Sequence, residues 1–141
     1  MSSSRNVSLL LIIMFISGSF KNGVEGKKPF QKNKVSVSIR NDLTTVLTVN
    51  CHSSEDNIDA QILQTNQMFS FSFRPNFFGS TKFVCDFTWV YNNKNIIHNN
   101  LMMYKYKRDS FTCYPSCLWE IYQTNATQYS ADNRAHEVFS W

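Results

Sequence analysis

Two aromatic runs dominate the hydrophobic pattern. Phe69, Phe71 and Phe73 alternate with Ser70, Ser72 and Arg74, and Phe83, Cys85, Phe87 and Trp89 alternate with Lys82, Val84, Asp86 and Thr88. A period of two is that of strands with one buried face. Pro75, Asn76 and Gly79 punctuate the segment between them, so the expectation is a β-hairpin with an aromatic inner face, its core built from Phe71, Phe73, Phe83, Phe87, Trp89 and, further on, Trp119. Upstream, Val35, Val37 and Ile39 alternate with Ser36, Ser38 and Arg40. Asn41 and Asp42 then turn the chain, and Leu47, Val49 and Cys51 mark a second strand. The polar stretch Ser53 to Asp59 reads as a surface loop, and Asn92, Asn93, Lys94 and Asn95 as a turn. Met102, Tyr104 and Tyr106 alternate with Met103, Lys105 and Lys107, a strand with one basic face, and Cys117, Trp119 and Ile121 form a late strand. No apolar pattern at helical spacing is sustained. The class expected is all-β, a small antiparallel β-sandwich of about seven or eight strands.

The first residues change the picture of where the protein goes. Arg5, an apolar run from Val7 to Ile16 and then Ser17, Gly18 and Ser19 have the layout of a secretory signal peptide. Cleavage is expected after Ser19 or after Gly26, with Gly26 favoured, which makes residues 1–26 the signal and 27–141 one domain. The apolar run is too short for the roughly 20 residues of a membrane-spanning helix, so no membrane anchor is expected. The chain carries 14 Lys+Arg against 10 Asp+Glu. That mild excess suits anionic surroundings and falls short of a nucleic-acid binder.

Cys51, Cys85, Cys113 and Cys117 are an even number in a small exported chain, the signature of two disulfides. A zinc site on Cys113, Cys117 and a histidine is the rival, but no matching histidine pair accompanies the cysteine spacing. Of the three possible pairings, Cys51 with Cys117 and Cys85 with Cys113 are expected, because they close the longest loops around a late strand that must dock on the early ones. Asn125-Ala126-Thr127 is a glycosylation acceptor in an expected turn.

Catalytic chemistry is weakly represented. His52 follows a strand cysteine and faces outward by alternation, His98 sits among asparagines in an expected turn, and His136 lies near the C-terminus. A two-histidine ribonuclease would need two of them beside a cationic group, and their contexts do not resemble such a site. Glu55, Asp56 and Asp59 lack the repeating acids and glycine of a calcium loop. Tyr104 to Arg108 mixes bases with aromatics as a single-strand nucleic-acid platform would, yet alternation sends tyrosines and lysines to opposite faces. No cofactor, metal or nucleic acid is therefore expected, and no catalytic residue.

Ile39-Arg40-Asn41-Asp42-Leu43, the segment Leu47 to Asp56 (LTVNCHSSED), the segment Phe71 to Trp89 and Cys117-Leu118-Trp119 together resemble the plant self-incompatibility family of small secreted S-proteins and their homologues. The resemblance runs from about Val35 to Tyr129. It departs where Asp59 and Ala60 replace a glycine closing the acidic loop, and where Asn125 to Gln128 lack one in the late turn. It implies a secreted antiparallel sandwich with two disulfides and no catalytic activity; the best-understood members are pistil ligands for a pollen surface receptor.

The expectation is therefore an extracellular, monomeric signalling ligand that binds a cell-surface receptor through its loops. The contact candidates are Ser53, Ser54, Glu55, Asp56, Asn57 and Asp59, then Asn92, Asn93, Lys94 and Asn95, and a third group at Arg108 and Asp109. The alternative is a cell-wall or defence protein attached through a basic face, with Lys82, Lys105 and Lys107, to anionic polysaccharide or membrane.

Overall fold

The computed structural model describes residues 32–141; the expected signal peptide and the basic residues Lys27 and Lys28 lie outside the described residues. Among the described residues nine strands form two sheets: β1 (Val35–Asn41), β2 (Leu47–His52), β3 (Asn57–Leu63), β4 (Met68–Phe73), β5 (Lys82–Tyr91), β6 (Lys94–Lys105), β7 (Ser116–Ile121), β8 (Asn125–Tyr129) and β9 (Ala135–Ser140), with a four-residue helix α1 (Tyr106–Asp109) after β6. The five-stranded sheet has the order β9-β8-β7-β1-β4 and the four-stranded sheet β3-β2-β5-β6.

The all-β sandwich stands, with corrections. The first sheet is mixed rather than antiparallel, because β1 runs parallel to β7, Val37 opposite Cys117 and Ile39 opposite Trp119. The two aromatic runs are not a hairpin. β4 pairs with β1, Phe71 opposite Val37, whereas β5 pairs with β2 and β6 in the other sheet. Their rings meet across the sandwich instead: Phe83 lies with its ring centroid 5.0 Å from Phe71 and 4.5 Å from Phe73. The expected core residues are buried, except that Phe73 at the sheet edge is half-buried.

Strand β6 is long and irregular. Register shifts opposite Phe83–Val84 and Cys85–Phe87 insert extra residues, and Asn100 takes a positive φ of 60° while its N–H donates to Asp86 Oδ1 at 2.7 Å. A bulge of this kind re-aims side chains. Here Met103 and Tyr104 both point inward, and the Met103 carbonyl accepts the Trp119 indole N–H at 2.8 Å across the sheets. His98 is therefore strand rather than turn, opposite Phe87 on the inner face.

The disulfides also differ from expectation. Cys51 bonds Cys85 and Cys113 bonds Cys117. Register decides the first: β2 and β5 place Cys51 directly opposite Cys85, with Cα atoms 4.0 Å apart. The second closes the short loop after α1, where Cys113 N–H also donates to the Asp109 carbonyl at 2.8 Å. All four cysteines are buried.

Candidate functional site

Strand directions divide the sandwich loops between two ends. At one end lie the β5–β6 turn, residues 42–46, 64–67 and 122–124, and Trp141. Asn92 and Asn93, with φ of 51° and 61°, make the two-residue turn that right-twisted strands favour, Tyr91 opposite Lys94. Buried Asn41 closes this asparagine end. Its Nδ2 donates to the carbonyls of Thr45 (2.8 Å) and Leu63 (2.9 Å), and its Oδ1 accepts the Leu43 N–H (2.8 Å). Trp89 Nε1 donates to Gln123 Oε1 at 3.1 Å, and Trp141 stacks on His98 with centroids 4.2 Å apart. Burial holds the His98 imidazole below its ordinary pKa.

The opposite end carries the β2–β3 loop, the β4–β5 loop, α1 with the segment to Ser116, and residues 130–134. Ser53 caps the first of these. Its Oγ accepts the N–H groups of Glu55 (3.3 Å) and Asp56 (3.0 Å), and its N–H donates to the Asp56 carbonyl at 2.8 Å, leaving Glu55 and Asp56 exposed. Asn57 and Asp59, expected in this loop, are exposed residues of edge strand β3 instead.

The β4–β5 loop is built to hold aromatics outward. Asn76 N–H donates to Thr81 Oγ1 at 2.7 Å, Asn76 Nδ2 to Ser80 Oγ at 2.8 Å, and Ser80 N–H returns to Asn76 Oδ1 at 3.0 Å. Gly79 has a φ of 69°, and a Cβ there would lie 2.8 Å from the Tyr106 ring, so both conformation and space require glycine. At the loop tip Phe77 and Phe78 stand 55% and 86% exposed. Beyond α1, Phe111 is 90% exposed.

Beside that tip runs an open groove in two contiguous parts. One, of about 390 Å³, is lined by Phe78, Gly79, Lys82, Lys105, Tyr106 and Lys107; the other, of about 450 Å³, shares Ser80 and Lys82 and reaches His52, Ser53 and Ser54. Lys82 and Lys105 are cross-strand partners. Neither they nor Lys107 joins an ion pair among the described residues.

The sequence-based candidates thus fall into three different settings. The Ser53–Asp56 loop flanks the lysine groove, whereas Asn92, Asn93, Lys94 and Asn95 sit at the other end of the sandwich, Lys94 and Asn95 inside β6, so one flat contact does not take in both groups. Arg108 and Asp109 are structural. Asp109 is fully buried, contrary to its expected surface place, and its carboxylate accepts from Lys105 N–H (2.8 Å), Arg108 Nε (2.7 Å) and Gln128 Nε2 (3.4 Å). Arg108 in turn donates to the Met102 carbonyl at 2.9 Å and lies over the Trp119 and Phe139 rings. Asn125 opens strand β8 rather than sitting in a turn, half-buried, its Oδ1 accepting the Thr127 hydroxyl at 2.7 Å.

His52, His98 and His136 stand on three different strands, β2, β6 and β9. Among the described residues no group of three or more histidines, cysteines and acids is arranged to hold a metal ion, and no helix is long and apolar enough to cross a membrane. What the lysine end offers chemically is a charged, aromatic-edged contact surface. Sequence reasoning missed Phe77, Phe78 and Phe111 as surface features; the adjacent Phe77-Phe78 pair, which cannot both face inward in a strand, was the signal for the first two.

A family profile described as plant self-incompatibility protein S1 matches residues 36–141. The chain is 34% identical to S-protein homolog 29 of Arabidopsis thaliana over 85% of its length and 82% of that protein's. It is 30% identical to S-protein homolog 5 of the same plant, over 82% and 84% of the two chains. Self-incompatibility protein S1 of Papaver rhoeas is 27% identical over 64% of this chain and 63% of its own. The chain belongs to the plant self-incompatibility protein S1 family.

Proposed function

We propose that the protein is a secreted, non-catalytic signalling ligand that engages a cell-surface receptor through the Ser53–Asp56 loop, with Asn57 and Asp59 at its margin. The observation that carries this reading is the loop itself. Its backbone is fixed by Ser53 while its carboxylates face solvent, which is how a rigid scaffold presents a recognition element. Family membership supports a self-incompatibility-type role, and pollen–pistil recognition is one form it takes. An N-glycan on Asn125 would sit at the asparagine end and leave the loop clear.

The test is binding of the protein to responsive cells or isolated receptor, with and without Glu55→Gln, Asp56→Asn and Asp59→Asn combined. Surface substitutions of this kind change stability by about 0.5 kcal/mol or less each, so melting should barely move. Binding should fall, chiefly in association rate if the charges steer encounter. Unchanged binding by the triple variant would overturn the loop assignment.

A further inference from the structure

We infer that the lysine end is a docking surface for anionic phospholipid bilayers, with Phe78 and Phe111 entering the headgroup region and Lys82, Lys105 and Lys107 facing the lipid charge. Three independent features converge on it. The first is charge placement: Lys82 and Lys105 are directly opposite each other, an arrangement that weakens a sheet. No acid among the described residues pairs with either, or with Lys107. A like-charge cluster left uncompensated by the fold is complementary to an external anion.

The second feature is the aromatic residues. Phe78 and Phe111 stand 86% and 90% exposed, on separate loops, both at the end that carries the lysines. Phenylalanine has no polar group to satisfy at a protein or sugar surface, whereas at a bilayer its ring replaces water with acyl and glycerol surface. Phe78 lines the groove with the three lysines and Phe111 stands beside Ser130 to Asp132 at the same end; exposed aromatics accompanying lysines are the composition of an interfacial membrane contact. An anionic polysaccharide would use the same lysines but gain little from two separated phenyl rings.

The third is rigidity. The Asn76 hydrogen bonds and the close approach of Gly79 to Tyr106 hold the Phe78 loop in its outward form, so little conformational entropy is lost on docking. Of the acids at this end, Asp109 is buried against Arg108, Asp132 beside Phe111 pairs with Arg134 at 3.5 Å, and exposed Glu55 and Asp56 lie on the β2–β3 side, in the loop that follows groove-lining Ser53 and Ser54. That asymmetry lets lipid and receptor be engaged by different halves of one end.

The experiment is co-sedimentation of the purified protein with vesicles of phosphatidylcholine alone or with 30% phosphatidylserine, at low and moderate salt. Phosphatidylserine should be required. A lysine near an anionic surface contributes roughly fivefold in partitioning, so Lys82→Gln, Lys105→Gln and Lys107→Gln combined should lose on the order of a hundredfold. Phe78→Ala with Phe111→Ala should lose at least about tenfold at unchanged melting temperature, and the charge-matched control Lys94→Gln, at the other end, should lose nothing. Phe78→Trp should show a blue-shifted emission on phosphatidylserine vesicles. Absence of vesicle binding, equal loss in the Lys94 control, or retention of full binding by the phenylalanine variant would overturn the proposal. So would tighter, salt-sensitive binding to polygalacturonate than to vesicles, which would identify a polysaccharide site. Because no receptor is present, failure here leaves the Ser53–Asp56 reading intact, and loop variants that bind vesicles but not cells separate the two.

Discussion

The two ends of the sandwich differ in what their key polar groups meet: at the asparagine end buried Asn41 is satisfied within the fold, and at the lysine end three lysines face solvent. All of Asn41's hydrogen-bonding groups have internal partners: the side chain bonds Thr45, Leu63 and Leu43, its N–H donates to the Gln67 carbonyl at 3.0 Å and its carbonyl accepts from Asn66 at 2.7 Å. Lys82, Lys105 and Lys107 have no ion-pair partner among the described residues, and the loop beside them holds phenyl rings in water. The difference separates stability from recognition within one small domain. Substitutions at the closed end and in the core should act on folding, and those at the open end on binding.

The largest effect should come from the core between the ends. Trp119 is fully buried, stacks on Phe139 with centroids 5.3 Å apart and bonds the opposite sheet through Met103. Trp119→Ala should cost about 3 to 5 kcal/mol, read as a lost or sharply lowered melting transition. Asn41→Ala should follow, since it strands two carbonyls and an N–H in a closed pocket, at about 1 to 3 kcal/mol for a buried group left unpaired. A variant Asn41→Ala as stable as wild type would remove the distinction between the ends.

The disulfides sharpen the same contrast. Chain-entropy arguments scale with the loop closed. Cys51–Cys85, at a sequence separation of 34, should contribute roughly 3.8 kcal/mol, and Cys113–Cys117, at a separation of 4, roughly 2 kcal/mol. Paired cysteine-to-serine variants compared by denaturant unfolding check the ordering. A greater loss from the short bridge would mean that it acts by holding α1 and Phe111 in place rather than by restricting the unfolded chain.

Much of this was legible from alternation. Strands β1, β2, β5 and β7 bury their apolar residues mainly at period two, and the residues that alternation points inward on them are buried. Three physical facts were hidden. Pairing partners are non-local, so nothing in Phe69–Phe73 and Phe83–Trp89 says that they join different sheets or that β1 meets β7 in parallel. Bulges break the period, which disguised β6 and placed His98 in a turn and Tyr104 beside Met103 on the same side. Polar residues can be buried when they find partners: Asp109 accepts from Lys105 N–H and Arg108, and Gln128 Nε2 inside β8 reaches it at 3.4 Å, whereas composition alone made that strand a turn and Asp109 a surface acid. The candidate site was legible only in its acidic loop and its basic strand. The exposed phenylalanines fell in connecting segments to which no surface role was assigned.

A pH test probes the closed end alone. His98 lies against Trp89 and Trp141, and its folded-state pKa is lowered by burial. The unfolded chain therefore takes up this proton first. Stability from this group is unchanged well above the unfolded value of about 6.5, is lost as pH falls below it, and levels off beneath the folded value. Melting temperature between pH 7.5 and 5 should fall less steeply in His98→Gln than in wild type, with binding at the lysine end untouched. Identical pH profiles would show that the stack does not shield the imidazole.

The smallest effect on stability should be the most informative about the open end. Lys105→Glu converts the cross-strand pair with Lys82 from repulsive to attractive, and such pairs are worth about 0.2 to 1 kcal/mol. Folding should therefore improve slightly, measured as a rise of a few degrees or less in melting temperature. Binding to anionic vesicles should fall by at least tenfold, because two charges are lost from the surface that meets the lipid. A change that stabilises the protein while removing a binding activity is the expected signature of residues retained for recognition at a cost to the fold. If Lys105→Glu instead destabilised the protein and left vesicle binding intact, the lysine pair would be part of the structure, and the two ends would differ in appearance only.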